Sequence, residues 1–127
     1  MWKKVELTGL TPVASLEGAA LDWAVAKCLP DDTVRIYFEE ETGEKLFLDD
    51  WEVPEFSPSA DWAQGGPIIE RDIAKVERFS DALWEATAYT KDAQDIVQSG
   101  PNPLIAAMRC YVASKLGDEV EVPNESV

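Results

Sequence analysis

The sequence predicts an α+β fold, a small antiparallel sheet packed by an N-terminal helix and a long C-terminal helix. Three observations carry that expectation. Apolar residues recur at helical spacing over residues 15–29 and again over 103–116. Short alternating or aromatic-rich runs at 33–38, 45–48, 75–79 and 83–89 read as strands. Residues 39–44, with Gly43 available for positive φ, turn the first of these strands back on the second.

In the first helix Ser15 is a suitable N-cap and Glu17 suits the first turn. Leu21, Ala24, Val25, Cys28 and Leu29 give one apolar face, and Pro30 stops the helix. Trp23 lies off the centre of that stripe beside Asp22. It reads as the edge of the core, with the lining of a pocket as the alternative.

Residues 33–38 alternate Val34, Ile36 and Phe38 against Thr33, Arg35 and Tyr37. The hairpin is acidic, with Asp31, Asp32, Glu39, Glu40, Glu41, Glu44, Asp49, Asp50 and Glu52. A solvated edge that discourages sheet-to-sheet association explains this. Asp49-Asp50 could attract a hard cation, but no EF-hand spacing is present.

Residues 51–66 read as irregular, being rich in Pro, Ser and Gly. Trp51, Phe56 and Trp62 argue that the stretch is ordered, because they need burial. Pro67 then fits the first position of a short helix over 67–73. The strands at 75–79 and 83–89 draw their apolar content from Val76, Phe79, Leu83, Trp84 and Tyr89. Residues 90–99 are polar and read as a loop or weak helix.

The last helix carries the clearest signals. Asn102 is an N-cap, Pro103 fits the first turn, and Gly117 closes the helix. Leu104, Ile105, Met108, Tyr111, Val112 and Leu116 follow at helical spacing. The remaining residues, 118–127, are acidic and are expected to fray. The division is therefore a single domain over 1–117 with an acidic tail over 118–127, and there is no internal repeat.

The chain has 127 residues, enough for one domain with a real core. It has neither an apolar run of membrane-spanning length nor a signal-peptide pattern, so a soluble protein that stays where it is made is expected. The formal charge of −14 argues against direct nucleic-acid binding, because phosphates would be repelled. The same charge permits a nucleic-acid mimic that occupies a basic protein. With no His, a Ser-His-Asp or Cys-His unit is impossible. Cys28 and Cys110 alone cannot complete a zinc site, and both read as small, reduced, buried residues.

The densest passage is 61–71, where Asp61, Trp62, Gln64, Gly65, Gly66, Pro67 and Arg71 crowd a loop-to-helix stretch. Read as a site, Gly65 and Gly66 admit close backbone approach and the following helix offers outward N–H groups. Arg71 can clamp a phosphate, Trp62 can stack, and Asp61 and Gln64 can read polar edges. The turn at Asn102 is a second small-residue helix start. Read as structure, the passage is a tight turn with Trp62 as a core plug and Arg71 paired to Glu70 or Asp61. Gly-Gly-Pro is neither a P-loop nor a dinucleotide fingerprint.

Three stretches also resemble a known family. Leu21-Asp22-Trp23-Ala24-Val25-Ala26-Lys27-Cys28, the 61–71 passage, and the run from Gly100 to Gly117 resemble the NinX-like family of small proteins of tailed phages and prophages. The acidic hairpin is outside the resemblance. The family implies a virus-encoded accessory protein in the cytoplasm of an infected bacterium, and it carries over no catalytic residues.

Together these readings favour a non-enzymatic binder that sequesters a small anionic, nucleotide-type signal of host defence. Its expected ligand-binding residues are Asp61, Trp62, Gln64, Gly65, Gly66, Arg71 and Asn102, with no metal and no cofactor. The alternative is an acidic protein-interaction or mimic inhibitor of a host protein. Paired-carboxylate hydrolysis is the enzymatic option, but 25 acidic residues allow no pair to be singled out. Membrane binding is not expected, and a homo-oligomer is compatible with the sequence.

Overall fold

The computed structural model of the chain describes residues 7–29, 35–38, 45–48, 57–90, 92 and 94–123. The architecture is α+β, as the sequence predicts. The described elements are β1 (Leu7–Pro12), α1 (Gly18–Cys28), β2 (Arg35–Phe38), β3 (Lys45–Leu48), α2 (Trp62–Asp72), β4 (Lys75–Ser80), β5 (Leu83–Tyr89), β6 (Asp95–Gly100), α3 (Pro103–Leu116) and β7 (Glu119–Pro123). Pro30, the turn at 39–44, Trp51, Phe56 and the acidic residues of the hairpin lie outside the described residues, as do the side chains of β2 and β3.

α3 is the centre of the molecule. Asn102 Oδ1 accepts from Ile105 N at 2.8 Å, Pro103 follows, and Gly117 ends the helix at φ 92°. A side chain would be strained at that φ, so glycine is required there. The expected apolar face is buried at Leu104, Met108, Tyr111 and Val112, and Leu116 is exposed at the last turn. The burial is wider than one face. Ala106, Ala107, Arg109, Cys110 and Ala113 are buried too, because α3 touches the β4–β5–β6 sheet, α1, α2 and β7. A helix enclosed by neighbours is apolar nearly all round.

β4, β5 and β6 form an antiparallel sheet in that order. Residues 90–99, expected to be a loop or weak helix, instead supply β6. Its only large apolar residues, Ile96 and Val97, are adjacent, so no alternation announces a strand. The inner face of the sheet packs Ala86 and Ala88, fully buried, against α3. Phe79, Leu83 and Tyr89, expected to supply the apolar content, are exposed. Ala86 and Ala88 are small where α3 lies over the middle of the sheet, and Val76, Trp84 and Ile96 pack partly buried around them.

The other departures are at the ends and before α2. Ser15 is not an N-cap. Residues Val13–Ser15 form one turn of 3-10 helix, and Ser15 Oγ donates to the Pro12 carbonyl at 2.8 Å. α1 begins at Gly18 instead, with no side-chain cap. Leu21, Ala24 and Val25 are buried as expected, and Trp23 joins the core. Residues Glu119–Pro123, expected to fray, pair with β1, and Val120 is buried. A partner strand supplies the ladder that an acidic tail alone would lack. Finally, the stretch expected to be irregular up to Gly66 turns helical at Trp62, so Pro67 lies inside α2 and not at its first position. β2 and β3 pair antiparallel with Arg35 opposite Leu48.

Candidate functional site

The expected site residues cluster around the start of α2, and side-chain capping explains why a helix forms through Gly-Gly-Pro. Residues 57–60 make a turn, with Ala60 N and Asp61 N both donating to the Ser57 carbonyl. Asp61 Oδ1 then accepts from Ala63 N at 2.9 Å, the N-cap bond, and Asp61 Oδ2 accepts from Gln64 Nε2 at 2.9 Å. Gln64 Oε1 reaches back to accept from Ser57 N at 2.8 Å. The two side chains thus tie turn and first helical turn together, which offsets the helix-breaking tendency of Gly and Pro. Pro67 has no N–H, so the Ala63 carbonyl receives no bond from it.

The two glycines have different surroundings. Gly65 is buried, and a Cβ there would lie 2.5 Å from Leu104 Cδ1 and 2.5 Å from the Pro58 carbonyl oxygen. It lets α2 lie close on the start of α3. Among the described residues a Cβ on Gly66 would meet nothing within 4 Å.

Trp62, the first residue of α2, is 56% exposed and is therefore no core plug. It stands one helical turn from Gly66, on the same side of the helix. Arg71 is nine positions further along than Trp62, roughly 13 Å at helical rise. It pairs with neither Glu70 nor Asp61. Its Nε donates to Asp72 Oδ2 at 2.7 Å, and that bond raises the guanidinium pKa above its ordinary value. Asn102 is occupied as the cap of α3.

The structure thus brings Trp62 and Gly66 together and leaves Arg71 at the opposite end of the helix. The outward N–H groups expected at Gly65-Gly66 are not a helix start, since the start is at Asp61 and Trp62.

Two charged residues matter here that the sequence reading did not place. Asp22 is buried on α1, and its Oδ1 accepts from Ser59 N at 2.9 Å. It holds the turn that presents Trp62. Arg109 is buried on α3, its Nε donating to the Leu16 carbonyl at 2.8 Å and its Nη1 to the Ser99 carbonyl at 2.9 Å. Burial lowers its pKa, against the favourable field of Glu17. The signal available in both cases was a charge inside an otherwise apolar helical run.

Cys28 and Cys110 are free thiols. Burial pushes Cys28 up to about 12 and Cys110 up to about 11, so neither is a ready nucleophile at neutral pH. Among the described residues no group of three or more His, Cys, Asp or Glu is placed to hold a metal ion. No described helix is long and apolar enough to cross a membrane.

Fold and site together define a small α+β domain organised on one enclosed helix, with an exposed tryptophan presented at the start of a second. The family follows from the sequence. The family model described as Bacteriophage P22, NinX matches residues 12–115, and the chain belongs to that phage protein family. No curated protein matches the chain.

Proposed function

We propose that this phage protein works by binding without catalysis, and that it sequesters a small nucleotide-type signal of host defence in the cytoplasm of the infected bacterium. The observation that carries the reading is the exposed Trp62 beside the open backbone of Gly66. Glycine in a helix interior costs roughly 0.5–1 kcal/mol relative to alanine. Among the described residues nothing within 4 Å of Gly66 needs the missing Cβ. Contact from outside accounts for it: a flat base stacks on the Trp62 indole while its edge lies against bare main chain.

The charge balance sets how such a ligand is held. The chain is at −14 and Arg71 is engaged by Asp72. Recognition therefore rests on the base more than on the phosphate. Arg71→Ala is expected to change affinity little, and raising the salt concentration is not expected to abolish binding.

Isothermal titration with a panel of mononucleotides and cyclic dinucleotides tests this. At least one should bind and be recovered chemically intact after the protein is denatured. A base–aromatic stack is worth about 1–3 kcal/mol, so Trp62→Ala should weaken binding about 5–150-fold. Its melting temperature should stay close to that of the parent, because the side chain is mostly in solvent. A panel with no binder, or equal binding by Trp62→Ala, would overturn the reading. A cleaved product would make the protein an enzyme.

A further inference from the structure

The β4–β5–β6 sheet has a second face that no described element covers. The register puts Lys75, Thr87 and Val97 in one row across it, Glu77, Glu85 and Ser99 in the next, and Tyr89 opposite Asp95 at one end. Leu83 lies at the other end beside the bulge that contains Phe79. Four large apolar side chains here are open to water: Tyr89 at 64%, Phe79 at 57%, Val97 at 47% and Leu83 at 43%. Exposed apolar groups gathered on one face, with charges among them, are the composition of a protein-binding surface.

The charges say what fits. Glu77 and Glu85 are directly opposed on neighbouring strands, an arrangement that destabilises a sheet. Lys75 Nζ reaches Glu77 Oε1 at 2.8 Å, while Glu85 has no ion-pair partner among the described residues. Asp95 adds a third carboxylate on this face, and Arg78 is drawn away to Asp81 and the Ser80 carbonyl. A second copy of this chain would bring the same carboxylates and a further −14 against it.

We propose that this face docks a basic protein surface, with an arginine of the partner placed between Glu77 and Glu85 and apolar partner side chains over Tyr89, Val97 and Leu83. A guanidinium fork suits two carboxylates a strand apart. In the free protein Lys75 answers part of the Glu77–Glu85 charge, and the complex neutralises the rest. This face lies on the sheet, apart from the α2 patch, so its occupancy is independent of Trp62.

The probe is a short synthetic peptide of alternating Arg and Leu, titrated into isotopically labelled full-length protein and followed by amide NMR shifts. The shifts should concentrate on β4, β5 and β6. Glu77→Gln with Glu85→Gln should weaken binding at least about tenfold and raise the melting temperature. Tyr89→Ser with Val97→Ser should weaken binding while the protein stays folded, and Trp62→Ala should bind the peptide as the parent does. Shifts centred elsewhere, an unaffected glutamine variant, or equal binding of an all-Arg peptide would each overturn the proposal. So would a parent dimer in sedimentation that Tyr89→Ser with Val97→Ser dissolves, since the face would then belong to a second copy.

Discussion

A Cβ at Gly65 has nowhere to go, because the Pro58 carbonyl it would meet is backbone and cannot swing aside. Gly65→Ala should therefore destabilise by about 1–3 kcal/mol, the usual cost of overpacking, as read by urea denaturation. Met108 is fully buried, and Met108→Ala should cost about 2–5 kcal/mol in the same assay. The thiols and Tyr111 set a pH dependence. Burial raises the pKa of Cys28, Cys110 and Tyr111, so the folded chain keeps protons that the unfolded chain releases. Stability is then intact below the ordinary thiol value of 9.0 and falls as pH climbs towards about 12. Cys28→Ala with Cys110→Ala should flatten that alkaline loss. An equally steep loss in the double variant would assign it to other groups.

At the scale of elements, what could be read from the sequence depended on whether the forces were local. α3 was legible because its cap, its Pro103, its apolar spacing and its Gly117 stop all lie within the helix itself. β5 was legible by composition, but its two faces were not, since the buried positions are the alanines beneath α3. β6 was hidden because its apolar residues are adjacent, while β7 does alternate but is so short and acidic that it is a strand only because β1 lies beside it. α2 broke the local rules outright. Its Gly65-Gly66-Pro67 reads as a breaker, and the helix forms because Asp61 and Gln64 clamp its first turn and Gly65 fits against Leu104. Hence the geometry of the candidate residues was not legible, and Arg71 was grouped with Trp62 although the two lie at opposite ends of one helix. Two outcomes follow. Asp61→Ala should lose about 0.5–2 kcal/mol with the cap. Deleting residues 118–127 removes β7 and its buried Val120, so it should cost at least about 1.5 kcal/mol. An unchanged melting temperature after that deletion would mean β7 contributes nothing to the fold.

For the whole molecule, one enclosed helix supports two faces of different character. α2 offers an aromatic beside bare backbone, and the outer side of the sheet offers apolar residues around opposed carboxylates. A chain at −14 repels the long phosphate backbone of a nucleic acid far more than it repels a single small nucleotide. The central claim is that Gly66 is kept for contact with something outside the chain. Its most direct test pairs thermal melting with isothermal titration of Gly66→Ala, using whichever nucleotide of the panel binds the parent. Adding a methyl to an open helical position should stabilise by about 0.5–1 kcal/mol, and intruding on a stacked ligand should weaken binding by about 1–3 kcal/mol. The predicted result is a variant that melts higher and binds worse. A variant that melts higher and binds as tightly as the parent would contradict the account.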